Sequence, residues 1–283
     1  MIFITGTNSF IGNKLVENLV KKKIKYFGVD IKESKNKINF KKKDINDNDI
    51  YKYIPKNSTV IHLAAISNVK DCEAMPMETL RTNINGTINL LHQSIKKKIK
   101  HFIFASTEWV YPDQKKIFNE NTHINFNLLD NNYAISKFIG EKIVKNYSKN
   151  FKVTILRFGI IYADRTKAGS AIETLVNLIK KSNVVEVGSV KTSRRFIHID
   201  DIVEGIILAY KRKVTGIFNL TGDKDINLKK IIYATQKYLN KKVKIIQKES
   251  TKKSIKKVSN LKAKKIMVWS PKINLSNGIE KLF

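Results

Sequence analysis

Apolar residues in the first 160 positions fall into short blocks at residues 1–4, 26–29, 60–64, 101–105 and 153–158. Each block is too short for a buried helix and long enough for a buried strand, and longer segments with helical spacing, such as residues 13–22, lie between them. Alternation of this kind predicts a parallel sheet with right-handed crossovers and helices on both faces. Ligands of such sheets sit at the carboxyl ends of the strands. Beyond residue 162 the pattern loosens into a helical run at 171–181, a strand at 184–187 and a mixed tail over 228–283. The expected organisation is therefore a main α/β domain over 1–162, with 194–220 returning to it, and a smaller lobe built from 163–193 and 221–283.

Between the first strand and the first helix lies Thr5-Gly-Thr-Asn-Ser-Phe-Ile-Gly12. A glycine turn in that position lets backbone N–H groups and the helix N-terminus face a pyrophosphate. The second apolar block ends in Asp30, followed by Ile31. An acid at the end of the second strand accepts hydrogen bonds from a ribose 2′-hydroxyl and repels a 2′-phosphate, which favours NAD over NADP. Further along stands Tyr133-Ala-Ile-Ser-Lys137, whose two chemically active side chains are neighbours on one helix face. A tyrosine titrates near ~10 and becomes a useful base at neutral pH only when a cation stabilises its anion.

These motifs, with others in the same order, resemble the extended short-chain dehydrogenase/reductase family, in particular its NAD-dependent nucleotide-sugar epimerase/dehydratase branch. The resemblance implies an α/β, Rossmann-type doubly wound parallel sheet with a smaller C-terminal α/β substrate lobe. Family members begin T-G-x-x-G-F-I-G; Gly6 and Gly12 match, and Ser9 stands where the middle glycine does. By this resemblance Gly6, Asn8, Ser9, Phe10, Ile11 and Gly12 surround the pyrophosphate, Asp30 and Ile31 the ribose, and Asp44 and Ile45 the adenine. His62-Leu-Ala-Ala65 brings Leu63, Ala64 and Ala65 to the cofactor, with Ser67 beyond them on the substrate side. Asn83 opens the segment Asn-Ile-Asn-Gly-Thr87 and supports the site from the cofactor side. Ser106-Thr-Glu-Trp-Val-Tyr111 resembles S-S-x-x-V-Y, which gives Thr107 the catalytic hydroxyl and makes Glu108 a second candidate acid or base. Arg194 to Asp201 resembles R-D-F-I-H-V-D-D, making Arg194 the expected ligand of a substrate diphosphate.

The resemblance implies an enzyme that oxidises a nucleotide-diphosphate sugar with NAD. Tyr133 takes the hydroxyl proton, Thr107 hydrogen-bonds the same oxygen, and Lys137 lowers the Tyr133 pKa and holds the nicotinamide ribose. Dehydratases carry Asp-Glu after the Thr107 position, and Trp109 cannot serve as their base, so a 4,6-dehydratase is disfavoured. An epimerase acting through a transient 4-keto sugar is preferred, a 4-keto-sugar reductase is the alternative, and an inactive NAD-binding interaction protein stands as a reading of another class. Two further departures bear on phosphate binding: Ile160 replaces a family Asn, and Arg195 replaces the Asp after the substrate arginine. The closing segments 258–264 and 269–279 resemble the family's end, so the chain is expected to be complete.

Composition narrows these readings without redirecting them. The net charge is +30, but only six of the 54 basic residues are Arg and the lysines are dispersed, so no specific nucleic-acid surface is expected. The charge still attracts anionic ligands. One cysteine, Cys72, excludes an internal disulfide framework, and the scattered histidines give no metal spacing. No apolar run reaches the ~18 residues of a membrane span. A cytoplasmic protein with no metal and no membrane partner is expected. By resemblance it is a homodimer that pairs the helices over 83–94 and 133–147.

Overall fold

The computed structural model describes residues 1–34, 38–114, 116–251 and 254–283. Contacts divide the chain into two units, residues 1–111, 123–157 and 203–218 in the first and residues 112–122, 158–202 and 219–283 in the second. Residues 112–122 and 194–202 thus group with the second unit.

The first unit carries a seven-stranded sheet. In chain order its strands are β1 (Ile2–Thr5), β2 (Tyr26–Asp30), β3 (Phe40–Lys42), β4 (Thr59–His62), β5 (His101–Thr107), β6 (Lys152–Phe158) and β7 (Gly216–Leu220). Their spatial order is β7-β6-β5-β4-β1-β2-β3, with the chain reversing direction across the sheet at β1. Strand β1 pairs in parallel with both β2 and β4, β2 with β3, and β4 with β5. This is the doubly wound arrangement expected from alternating apolar blocks and helices. Strands β1 and β4 are buried throughout, which explains why they read as continuous apolar runs. Phe3, Val60, Phe102, Phe104, Leu90, Leu91 and Val153 join the core between sheet and helices.

Helix α1 (Phe10–Lys21) follows β1 and buries Leu15 and Leu19. After β4 come α2 (Val69–Ala74), α3 (Pro76–Leu80), a π-helical turn over Arg81–Asn85, and α4 (Gly86–Lys96). Helix α5 (Asn132–Asn146) is capped by Asn131, whose side chain accepts the Ala134 N–H at 2.8 Å. Glu73 of α2 holds the same end, accepting from the Asn132 backbone and side-chain amides at 2.7 and 3.0 Å. These bonds set the start of the helix that carries Tyr133 and Lys137.

In the second unit, α6 (Ala171–Lys181) occupies the residues its spacing predicts, and Ser170 with Glu173 forms a capping box at its start. Strand Val184–Val187 pairs in parallel with Lys244–Gln247, and Ile160–Tyr162 with Phe196–His198. Ser193–Arg194 pairs antiparallel with Ile226–Asn227. Ile172, Val176, Ile179, Val185, Phe196, Ile231 and Ile232 form this unit's own core. Among the described residues no helix is long and apolar enough to cross a membrane.

Candidate functional site: a nucleotide cavity and a Thr-Tyr-Lys cluster

At the carboxyl ends of β1, β2 and β4 the first unit opens into a cavity of about 360 Å³. The turn after β1 is what shapes it. Gly6 has φ +78°, and a Cβ there would stand 2.7 Å from the Ala64 nitrogen. Gly12 lies so close to the turn that a Cβ would meet the Gly6 carbonyl oxygen at 2.1 Å. Ser9 is the N-cap of α1: its hydroxyl accepts the Gly12 N–H at 3.1 Å and donates to the Gly6 carbonyl at 2.7 Å. The residue that departs from the family glycine therefore helps to close the turn. Asp30 is anchored by backbone alone, one carboxylate oxygen accepting from Asn8 N–H and the other from Lys32 N–H, both at 2.9 Å. Across the cavity Asp44 accepts from the Asn46 backbone at 2.8 Å and from Arg81 at 3.1 Å.

A second group of functional side chains gathers at the end of β5 and the start of α5. Thr107 accepts the Trp109 N–H at 3.2 Å. Its hydroxyl also hydrogen-bonds the Tyr133 phenol, favouring the phenolate, yet burial prevails and pushes the Tyr133 pKa up to about 12. Lys137 is buried, donates to the Ala105 carbonyl at 2.8 Å and lies 4.9 Å from the centre of the Phe104 ring. Desolvation brings its pKa down to about 8, while the Cys72 and Glu141 charges act the other way.

Tyr133 is thus held above its ordinary pKa, with burial the largest cause. The physical reason is that the ammonium is directed to the Ala105 carbonyl, while the phenol pays for its low-dielectric surroundings. Lowering the phenol requires a further positive charge beside it.

Three buried hydrogen-bond systems hold these groups. Asn83 clamps the Ile66 peptide, accepting its N–H and donating to its carbonyl at 2.9 Å each, and donates to Ser136 at 3.0 Å. Ser136 in turn donates to the Tyr133 carbonyl at 2.9 Å. His62 links Thr5 at 2.7 Å to Thr87 at 2.9 Å, and Thr87 donates to the Asn83 carbonyl at 2.7 Å. Because Thr87 spends its proton on that carbonyl, its oxygen receives the proton of His62 Nε2, and Nδ1 accepts from Thr5. Burial keeps the ring neutral, with its pKa down to about 3. In the third system Glu141 accepts from Ser106 at 2.5 Å and from Arg157 at 2.8 and 2.6 Å, and Arg157 donates to the Tyr111 hydroxyl at 2.7 Å.

In the second unit Arg194 donates Nη1 to the carbonyls of Ser193 and Ser254, at 2.8 and 3.0 Å. Its Nη2 donates to Asp113 at 3.2 Å and to the Ser254 hydroxyl at 2.6 Å. Arg195 has an acid of its own, Asp225, at 2.9 Å, and donates to the Val258 carbonyl at 3.0 Å. Ile160 spends its backbone on pairing with Phe196.

Of the residues read from the sequence as cofactor ligands, Gly6, Asn8, Ser9, Asp30, Ile31, Asp44, Ile45, Ala64 and Ala65 line the cavity. Phe10, Ile11 and Gly12 sit behind the turn in the first helical turn, Leu63 is buried, and Asn83 spends its amide on protein partners. Asn83 is thus a positioning residue rather than a cavity wall. Ser67 is exposed ahead of α2, and Glu108 is 3% exposed beside Thr107. Lys32, Lys43, Met75, Glu78 and Arg81 also line the cavity and had no sequence signal beyond their nearness to Asp30, Asp44 and Asn83. Glu141 was legible in principle, four residues past Lys137 on the same helix face. Among the described residues no group of three or more His, Cys, Asp or Glu could hold a metal ion.

A doubly wound sheet, a glycine turn facing a nucleotide-sized cavity with an acid at the end of β2, and a Thr-Tyr-Lys cluster together define a dinucleotide-dependent enzyme of the extended short-chain dehydrogenase class. Residues 2–221 match the NAD dependent epimerase/dehydratase family, and the chain belongs to that family. The chain is 28% identical to the UDP-glucuronate 4-epimerase of Thermodesulfobacterium geofontis, over 98% of this chain and 93% of the relative. It is 29% identical to the UDP-N-acetyl-alpha-D-glucosaminuronate decarboxylase of Bacillus cytotoxicus, over 81% and 77%. Among solved structures, UDP-glucose 4-epimerase from Thermotoga maritima with UDP-glucose superposes with a TM-score of 0.83 at 26% identity, covering 99% of this chain and 96% of that one.

Proposed function

We propose that this protein is an NAD-dependent nucleotide-sugar epimerase that works through a transient 4-keto sugar. The observation that carries the reading is the Thr107–Tyr133 hydrogen bond beside buried Lys137, in the same unit as a cavity whose ribose-end acid is held by two backbone N–H groups. The residues fit the cofactor: the Gly6 turn leaves no room for a side chain, and Asp30 disfavours a 2′-phosphate. When bound, NAD supplies the hydride acceptor and donor and, in its oxidised form, a positive charge.

Tyr133 takes the proton of the sugar hydroxyl as that carbon is oxidised and returns it when the carbonyl is reduced. Thr107, held by the Trp109 N–H, keeps a hydrogen bond on the same oxygen and shares its developing charge. Lys137, held on the Ala105 carbonyl, is placed to bind ribose hydroxyls and to add positive potential near the phenol. Arg194, its Nη1 held by the Ser193 and Ser254 carbonyls, offers the diphosphate its Nη2 and its charge. Trp109, 42% exposed, offers no carboxylate at the position where dehydration and decarboxylation require one. That disfavours loss of water or carbon dioxide, and Asp30, which suits NAD rather than the NADPH of a net reductase, favours inversion over reduction. The two relatives above are named for UDP-sugars, which supports a UDP-linked hexose or hexuronate as the substrate class, with a homodimer in the cytoplasm as the proposed state.

The test is incubation of the protein with NAD and a panel of UDP-, GDP-, dTDP- and CDP-sugars without reductant, followed by mass spectrometry and NMR. The expected product has unchanged mass and inverted stereochemistry at C4. A product lighter by one water or by carbon dioxide overturns the epimerase reading. Turnover only when NAD(P)H and a 4-keto sugar are supplied makes the protein a reductase, and failure to bind NAD removes the enzymatic reading altogether.

A further inference from the structure

The Arg194 guanidinium is built from one side and shared on the other. Its Nη1 is pinned by two backbone carbonyls, those of Ser193 and Ser254. Its Nη2 points at one oxygen of Asp113, and the hydroxyl of Ser254 donates to that same oxygen. Two donors thus converge on a single anionic oxygen, the arrangement that a phosphate oxygen also takes. The two partners are not equally held. The Arg194 side chain is 20% exposed and tied to backbone, whereas the Asp113 side chain is 47% exposed. An ion pair this open to water is weak, so the carboxylate is the exchangeable member.

We propose that Asp113 is an internal stand-in for the substrate's diphosphate, which displaces it from Arg194 and takes over the hydrogen bond of Ser254. This rests on the reading of Arg194 as the diphosphate ligand and adds to it two residues, one ligand and one competitor. Asp113 keeps the guanidinium oriented and its charge balanced before substrate arrives. It then sets a threshold that a nucleoside diphosphate passes and a less charged anion does not.

The experiment is titration calorimetry of the full chain with UDP at fixed ionic strength, on wild type, D113N, S254A, D113N/S254A, R194Q and R194K, with E280Q as a control for loss of one exposed acid. The expected result is UDP binding at least threefold tighter in D113N and unchanged in E280Q. S254A in the D113N background should weaken it threefold or more, and R194Q should weaken it at least tenfold. Thermal melts detect a folding defect in R194Q, in which case R194K, which keeps the charge and loses the fork, carries that comparison. Equal or weaker binding by D113N while the Arg194 variants lose affinity overturns the stand-in and leaves Arg194 as ligand. Tightening in E280Q equal to that in D113N reduces the effect to net charge and also overturns it. Unchanged affinity in both Arg194 variants removes the reading of Arg194 on which the proposal rests.

Discussion

Arg157 closes its Nε and Nη2 on the two oxygens of Glu141, at 2.8 and 2.6 Å, with neither side chain more than 4% exposed. The pair ties β6 to α5, and through Ser106 it reaches the end of β5 beside Thr107. The two elements that carry the candidate chemistry, β5 and α5, are thus joined to β6 by one buried carboxylate. Breaking such a pair from one side strands a charge in the interior, which costs roughly 3–5 kcal/mol, whereas replacing both members costs far less. Urea denaturation of E141Q should show a loss of that order. The double variant E141L/R157M should be more stable than the sum of its single variants. Additive losses would mean that the pair is not an energetic unit.

Removing the Tyr133 hydroxyl should separate chemistry from binding. Y133F is expected to lower kcat by about 10²- to 10⁴-fold, the usual contribution of a positioned acid or base. The nucleotide cavity is formed by other residues, so NAD affinity by calorimetry should stay within about threefold. Turnover close to wild type would assign the proton transfer to Glu108 or another group.

Asp30 is predicted to decide between the two nicotinamide cofactors. Its carboxylate is oriented by the Asn8 and Lys32 N–H groups, so D30A removes the charged acceptor together with two bonds to the backbone beside it. Loss of a hydrogen bond to a charged group costs about 1.5–3 kcal/mol, which is roughly a 10- to 100-fold weaker NAD complex. The affinity ratio of NAD to NADP should fall with it. A ratio unchanged in D30A would place the discrimination elsewhere.

The buried histidines make stability sensitive to acid. Desolvation lowers the His62 pKa from 6.5 to about 3 and that of His101 to about 4. Between pH 6.5 and those values the unfolded chain binds protons that the folded chain refuses. Stability is therefore fully present above pH 6.5 and is lost as the pH falls towards 3–4. His62 alone accounts for a loss on the order of 5 kcal/mol by about pH 3, at about 1.4 kcal/mol per unit. Urea denaturation from pH 7 to 4.5 should show this decline, with a flatter curve for H101N. A flat wild-type curve over that range would mean that water reaches both rings.

Much of this protein is legible before folding because its signals are local. The residues of α6, with apolar positions at helical spacing, form the helix at 171–181 as read, and the structure adds the Ser170–Glu173 capping box at its start. The glycine turn, Asp30 at the end of β2, and Tyr133 and Lys137 one turn apart on α5 follow from short-range geometry that the backbone imposes wherever the segment sits. The doubly wound sheet follows from the same economy, because alternating buried strands and helices admit few other arrangements.

Long-range geometry decided the rest. No spacing in the chain announces that Asp113 meets Arg194 across 81 residues, or that Arg157 reaches Glu141 and Tyr111. Nor does composition reveal that burial would hold the Tyr133 phenol near pKa 12 while Lys137 turns to the Ala105 carbonyl. The sequence by itself determined which chemical groups the protein carries and which strands and helices bear them. Only the tertiary structure decided how those groups share charge and solvent, since desolvation and ion pairing depend on neighbours that the fold brings from distant parts of the chain.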